Sequence, residues 1–415
     1  MKIIKVVFVL VFINLLYSCA SKSKKNELIS EKSELLDVEK RDSKMVNIDD
    51  QITFINSQLS LLLQDAERAD NIPRTVEHNE VKWVNPGFDW TEGFFPGTCW
   101  YLYEATKDKK WKNAAEKFQS KFEAHQVYTS NHDLGFVFNS SYGNGLRLTN
   151  NEGYSKVLVT AADALSKRFN SKVGCIKSWD VDEGWQSKRD WQYPVIIDNM
   201  MNLELLFKAS ELTGDTTYSE MAKKHANTTL KNHYRADNSS VHVVDYNPNT
   251  GEVRSKQTAQ GYANESSWAR GQAWGLYGFT VCYRFTGDEK YLNQAIKIAD
   301  YIINYKDLSE DGVPYWDYNA PNLPDEPRDV SASAVTLSAL IELNQYTDNT
   351  YKTFVDKTMN SLASPQYMAK LGENHHFVLK HSVGSIPHQS EIDVPLIYAD
   401  YYYLEALLRY KNFNL

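Results

Sequence analysis

Two aspartates carry the most suggestive chemistry in this chain, Asp133 in "NHDLGF" and Asp198 in "YPVIIDNMMNLELLF". Two carboxyls in different surroundings, one holding its proton and one ionised, are the working pair of many sugar-cleaving sites. The stretch Tyr193 to Phe207 is apolar on nearly every side, and Val195, Leu203, Leu206 and Phe207 recur at helical spacing. Pro194 suits the first turn of such a helix, which would set Asp198 beside Pro194, Val195, Met201, Asn202 and Leu205. Desolvation there raises a carboxyl pKa, and a carboxyl protonated near neutrality can act as a general acid. The competing reading starts the helix later and uses Asp198 as its cap. Asp133, next to His132 in a polar loop, is expected to stay ionised, unless it too is a helix cap. In "WARGQAW", Arg270 stands between Trp268 and Trp274. Its guanidinium is suited either to gripping a carboxylate with two bonds or to stacking on a tryptophan.

Other chemistries are excluded by what the chain lacks. It contains no P-loop, no GxGxxG fingerprint, no HExxH and no GxSxG elbow. "DVDEG", Asp180 to Gly184, starts like a calcium loop but lacks the closing glutamate. His125, His132 and Asp133 are too irregularly spaced for a metal site, so neither metal nor cofactor is expected. A formal charge of −8 without a basic run argues against nucleic acid. Ten Trp and 26 Tyr raise the aromatic content to 13%, which suits a cleft that stacks on sugar rings. Cys99, Cys175 and Cys282 form no CxxC pair and read as buried hydrophobes.

The elements that must position these residues repeat along the chain. "ATKDKKWKNAAEKF", "ELTGDTTYSEMAKKHA" and "RFTGDEKYLNQAIKIADYI" each end one helix at a turn and begin another with an aromatic and an alanine face. "RLTNNEGYSKVLVTAADAL" and "NQYTDNTYKTFVDKTM" are weaker copies, and "IDVPLIYADYYYLEALLRY" closes the series. Five hairpins and a closing helix predict an all-α ring of six hairpins, an (α/α)6 toroid, over residues 50–415. The long inserts between copies hold the Trp, His, Asp and Arg residues, so one rim of the ring is expected to be the active face. A short β-ribbon is expected at "SSVHVVDYNPNTGEV". At the amino end, residues 1–18 read as a signal peptide and "LYSC" as a lipobox that would acylate Cys19. Residues 19–49 follow as a polar tether.

"WTEGFFPG", "HDLGF", "VIIDNMMNL", "QGYANESSWARGQAWGLYGF", "VPYWDYNAP", "RDVSASA" and "EIDVPLIYADYYYLEAL" run in order from Trp90 to Leu407. Together they resemble glycoside hydrolase family 88, the unsaturated glucuronyl hydrolases. The resemblance implies an (α/α)6 barrel that removes a 4,5-unsaturated uronic acid from oligosaccharides made by an upstream polysaccharide lyase. It places the catalytic aspartate at Asp198 and its partner at Asp133. Sugar-binding positions fall on Trp90, His132, Trp179, His242, Gln260, Trp268, Arg270 and Trp274, with Ser382 and Ser385 near the neighbouring sugar. The insert "DVDEGWQSKRDWQ" departs from the family pattern, so Trp185 or Trp191 competes with Trp179; Glu92, Asn264 and Pro395 also depart. Lys380 beside "HSVGS" is the one firm cation expected there, which favours a neutral or lightly sulfated neighbouring sugar over heparin. The rival readings are the related unsaturated rhamnogalacturonyl hydrolases, an inverting glycosidase on the same ring, and a non-catalytic sugar-binding lipoprotein. A lipid anchor at Cys19 implies attachment to the outer membrane, facing the periplasm or the cell surface.

Overall fold

The computed structural model describes residues 45–413 and Leu415, and residues 47–415 form one compact unit. The signal peptide, Cys19 and nearly all of the tether lie outside the described residues. Twelve α-helices are described: α1 (Ile48–Ala69), α2 (Phe94–Thr106), α3 (Lys109–Gln119), α4 (Asn144–Thr149), α5 (Glu152–Ser166) and α6 (Leu203–Thr213), then α7 (Thr217–Asn232), α8 (Ala269–Thr286), α9 (Glu289–Ile303), α10 (Val330–Leu343), α11 (Lys352–Leu362) and α12 (Ile397–Asn412). A π-helical segment, Gly135–Gly143, runs directly into α4. Short strands β1 (Pro73–Glu77) and β2 (Glu80–Trp83) pair antiparallel, as do β3 (Phe169–Asn170) and β4 (Cys175–Ile176).

The helices form the ring that the repeats predict. The inner circle is α2, the Gly135–Thr149 helix, α6, α8, α10 and α12, each packed on the next, with α12 closing back on α2. Every residue of α10 is buried, as expected of a helix surrounded on all sides. The outer partners are amphipathic; α9 buries Tyr291, Leu292, Ala295, Ile298, Ala299 and Ile302 along one stripe. The sixth outer position is filled by α1, which packs on α12, so the two ends of the unit meet in one hairpin.

The hairpin junctions have a local cause. Lys107, Asn150, Gly214 and Gly287 adopt left-handed backbone at the ends of their helices. Asp108, Asn151 and Asp288 then cap the following helices, each accepting a backbone N–H two residues on, at 2.9–3.1 Å. These short-range signals made the repeats readable.

The Asp198 segment corrects the sequence reading. Pro194–Ile196 is a β-strand (β5), Ile197–Asn202 a 3-10 turn, and the α-helix begins only at Leu203. Asp198 caps nothing. Strand β5 pairs with β6 (Val243–Tyr246), which pairs with β7 (Val253–Gln257), so the expected ribbon gains a third strand from the segment read as helix. The apolar run satisfies either period, and the partner strand decides. A separate antiparallel pair joins β8 (Ser382–Ser385) to β9 (Ser390–Val394).

Candidate active site

One rim of the ring holds a cavity of about 310 Å³ lined by Trp90, Asn131, His132, Asp133, Phe136, Trp179, Trp185, Ile196, Asp198, Gln260, Arg270 and Ser385, among others. Both aspartates thus come from distant segments to one site. Asp198 is buried, and desolvation raises its carboxyl to about 7 against the opposing influences of Arg270, a backbone N–H and the Trp274 side chain. Burial wins. Its Oδ1 has no hydrogen-bond partner, although the His242 Nε2 stands 3.6 Å away.

His242 is held in one tautomer. Its Nδ1 accepts the backbone N–H groups of Ala259 (3.0 Å) and Gln260 (3.2 Å), so the proton resides on Nε2 and faces Asp198. Burial, reinforced by Arg270, drives its pKa far down and keeps the ring neutral. The strand register makes the encounter. Ile196 pairs with Val243 and the Ile197 N–H donates to the His242 carbonyl (3.0 Å), which sets Asp198 opposite the ring.

Asp133 departs from expectation. It is buried, not solvated, and burial followed by the Asp198 charge pushes its pKa well up. Nor is it a helix cap: it is its backbone carbonyl, not its side chain, that accepts from Val137 (3.1 Å). The His132 Nε2 lies 3.3 Å from the Asp133 Oδ1. Asn202 sets that ring, because its Oδ1 accepts the Phe136 N–H (3.1 Å) and its Nδ2 therefore donates to the His132 Nδ1 (3.3 Å). Burial lowers His132 to about 3, so this ring is neutral too. Gly135 allows the segment to approach; a Cβ there would stand 2.4 Å from the Asn202 Cα.

The remaining predicted residues divide into wall and backing. Trp90, Trp179, Gln260 and Ser385 line the cavity, and Trp185 lines it beside Trp179, whereas Trp191 stacks behind Trp179 at 5.7 Å. Trp268, Trp274 and Ser382 are buried and do not line the wall. Trp268 lies under the Arg270 guanidinium (4.5 Å) and against His242 (4.8 Å), and Trp274 packs on Phe136 (5.0 Å). Arg270 does stack on tryptophan, but its fork is already engaged. It donates to Asp329 (2.9 Å), to the Gly384 carbonyl (2.6 Å) and to the Val383 carbonyl, tying β8 to α8. Lys380 turns away and donates to the Pro365 carbonyl (2.7 Å), so it brings no charge to the cavity. Asp180 of the supposed calcium loop pairs with Arg168 (3.1 Å). Among the described residues no group of three or more His, Cys, Asp or Glu is placed to hold a metal ion.

Sequence reasoning missed Arg74, Glu391, Tyr398 and His388, which also line the cavity. Arg74 bridges Glu391 (2.6 Å) and Asp89 (2.7 Å), partners 317 and 15 residues away. No local signal could have joined them.

Comparison with known proteins agrees with this geometry. The profile of Glycosyl Hydrolase Family 88 matches residues 66–414. The unsaturated glucuronyl hydrolase of Formosa agariphila is 43% identical over 369 residues, covering 88% of this chain and 91% of that protein. The unsaturated chondroitin disaccharide hydrolase of Streptococcus agalactiae is 34% identical over 357 residues, covering 83% and 87%. A crystal structure of an unsaturated glucuronyl hydrolase specific for heparin superimposes with a TM-score of 0.81 at 44% identity, covering 87% of this chain and 97% of that one. The matched span contains both aspartates and every helix of the inner circle, and on that ground the chain is a glycoside hydrolase belonging to Glycosyl Hydrolase Family 88.

Proposed function

We propose that the protein removes a 4,5-unsaturated uronic acid from the non-reducing end of lyase-generated oligosaccharides, with Asp198 as both acid and base. The observation that carries this reading is a buried carboxyl, raised to about 7, whose Oδ1 is unpartnered in a cavity of sugar-ring size. The substrate is an enol ether. Protonated Asp198 delivers its proton to C4, and the carboxylate so formed takes a proton from water as that water bonds to C5. The product is a C5 hemiketal, which opens to a ketone and releases the aglycone from C1. One group performs both transfers only if its pKa lies near the working pH, which burial achieves here.

Asp133 serves beside it in its protonated form, favoured by burial and by the Asp198 charge, and donates to a ring hydroxyl. This revises the ionised role expected from the polar loop. The neutral Nε2–H groups of His132 and His242 face the two carboxyls but have no hydrogen-bond partner in the folded protein, which leaves them to donate when substrate is bound. Trp90 and Trp179 supply faces for the ring. Incubation with lyase-generated disaccharides tests the proposal: turnover erases the ultraviolet absorbance of the conjugated C4=C5 bond. Binding without loss of absorbance would sink it in favour of a sugar-capturing protein. An inverting glycosidase would release the sugar with its double bond intact.

For location, we propose an acylated Cys19 that anchors the enzyme to the outer membrane, on the strength of Lys2, Lys5, the apolar run and "LYSC". Cys19→Ala is expected to leave the membrane fraction. Its recovery there at the normal level and size would contradict the anchor.

A further inference from the structure

The insert that departs from the family pattern meets the β8–β9 hairpin at the cavity mouth. Trp185 lines the cavity and packs on His388 at 4.9 Å, a contact between segments about 200 residues apart. His388 sits in the turn between β8 and β9, and its Nδ1 is 2.8 Å from the Ser385 Oγ, itself a lining atom group. Trp179 and Trp191 brace Trp185 edge-on, at 5.1 and 5.8 Å, so its ring is fixed in place. Arg189 lies over Trp191 (5.4 Å) and Trp185 (6.0 Å) and has no carboxylate partner among the described residues. Its neighbour Asp190 is taken by Arg254 (3.1 Å). A guanidinium stacked on an indole keeps its N–H edges open for a planar or tetrahedral anion. The two Arg side chains that line the cavity itself are committed, Arg74 to Glu391 and Asp89, Arg270 to Asp329 and the β8 carbonyls.

We propose that Trp185, His388 and Arg189 form a subsite for the sugar attached to the unsaturated uronate, and that Arg189 selects sugars carrying an anionic substituent, such as a sulfate ester. The inference rests on the hydrolase reading above, since the subsite is defined from the cleaved bond. Trp185 provides the apolar face against which that sugar stacks. His388 and Ser385 offer hydrogen bonds along its edge. An open guanidinium beside Trp185 matches an anionic substituent, which replaces Lys380 as the source of selectivity.

The test uses the full-length enzyme with two unsaturated disaccharides that differ by one sulfate on the second sugar, followed by loss of ultraviolet absorbance. Arg189→Ala is expected to lower kcat/KM about tenfold more on the sulfated than on the unsulfated substrate, mostly through KM. Arg189→Lys should recover part of that discrimination. In the unmodified enzyme, KM for the sulfated substrate should climb with salt more steeply than KM for the unsulfated one. An unchanged preference in Arg189→Ala, or equal salt dependence for both substrates, overturns the subsite. Absence of turnover on either substrate by the unmodified enzyme would instead overturn the hydrolase reading itself.

Discussion

His132–Asp133 and His242–Asp198 are two versions of one device, each a neutral imidazole turning its Nε2–H toward a buried carboxyl in the same cavity. They differ in how they are held. His242 is fixed by two backbone N–H groups and by the β5–β6 register, parts that cannot be changed by altering a side chain. His132 is fixed by one side chain, Asn202, across 3.3 Å. The carboxyls also differ. Asp133 responds to the charge on Asp198, while the forces that set Asp198 are burial, Arg270, a backbone N–H and Trp274. The lesson is one of precedence. The proposed mechanism puts the moving proton on the carboxyl whose pKa is set by the rigid frame, with its neighbour adapting.

The largest effect should come from breaking the Asp198 side. Asp198→Asn is expected to keep the fold and to lose about 10²–10⁴-fold in kcat, the range that general acid–base catalysis supplies. The linkage gives a second readout. A carboxyl raised from the ordinary 3.8 to about 7 holds its proton more tightly in the folded than in the unfolded chain. It therefore erodes stability progressively as pH rises from about 4 to about 7. Thermal melts at pH 8 should thus show Asp198→Asn at least as stable as the parent, with the advantage vanishing below pH 4. A variant that is less stable at pH 8 would mean that the carboxylate is paired after all.

Asp133→Asn should cost less, about 10²-fold, because it removes a positioning donor and not the travelling proton. The two sites can then be told apart by their pH profiles. In the parent enzyme kcat/KM should fall above about pH 7 as Asp198 loses its proton, and Asp133→Asn should keep that limb in place. Movement of the limb by a unit or more would show that the two carboxyls titrate as a coupled pair.

Asn202→Ala tests the weaker anchorage. It frees the His132 ring and leaves the buried Phe136 N–H without an acceptor, a cost of about 1–3 kcal/mol measurable by urea denaturation. Activity should drop about tenfold with the upper pH limb unmoved. An unchanged melting curve would show that another group takes over the Phe136 N–H. The smallest perturbation is Gly135→Ala. A Cβ 2.4 Å from the Asn202 Cα must displace one inner segment from the other, at a cost of about 1–3 kcal/mol. Its effect on turnover should be milder than that of Asn202→Ala and should not reach the His242 side.

Much of this protein is determined by the sequence alone, because the signals are local. Helix caps at Asp108, Asn151 and Asp288, left-handed stops at Gly214 and Gly287, and the stripe on α9 act within a few residues, so the hairpins and their ring can be read from the chain. "HDLGF" likewise displays one histidine–aspartate pair as neighbours, and the apolar run around Asp198 announces a desolvated carboxyl whichever element carries it. Tertiary structure decided the rest. The helical spacing of Tyr193–Phe207 holds only from Leu203 onward, because β6 pairs with Pro194–Ile196, so β5 and the His242–Asp198 encounter exist only in the folded sheet. Asp133 looked solvated by its neighbours in sequence, and the burial it meets in the fold pushes its pKa well up. The sequence leaves Arg270 either to grip a carboxylate or to stack on tryptophan, and Asp329 and the β8 carbonyls, at least 59 residues distant, engage its fork while it stacks on Trp268. Burial and partner choice depend on which distant surfaces come into contact, and no stretch of neighbouring residues contains that information.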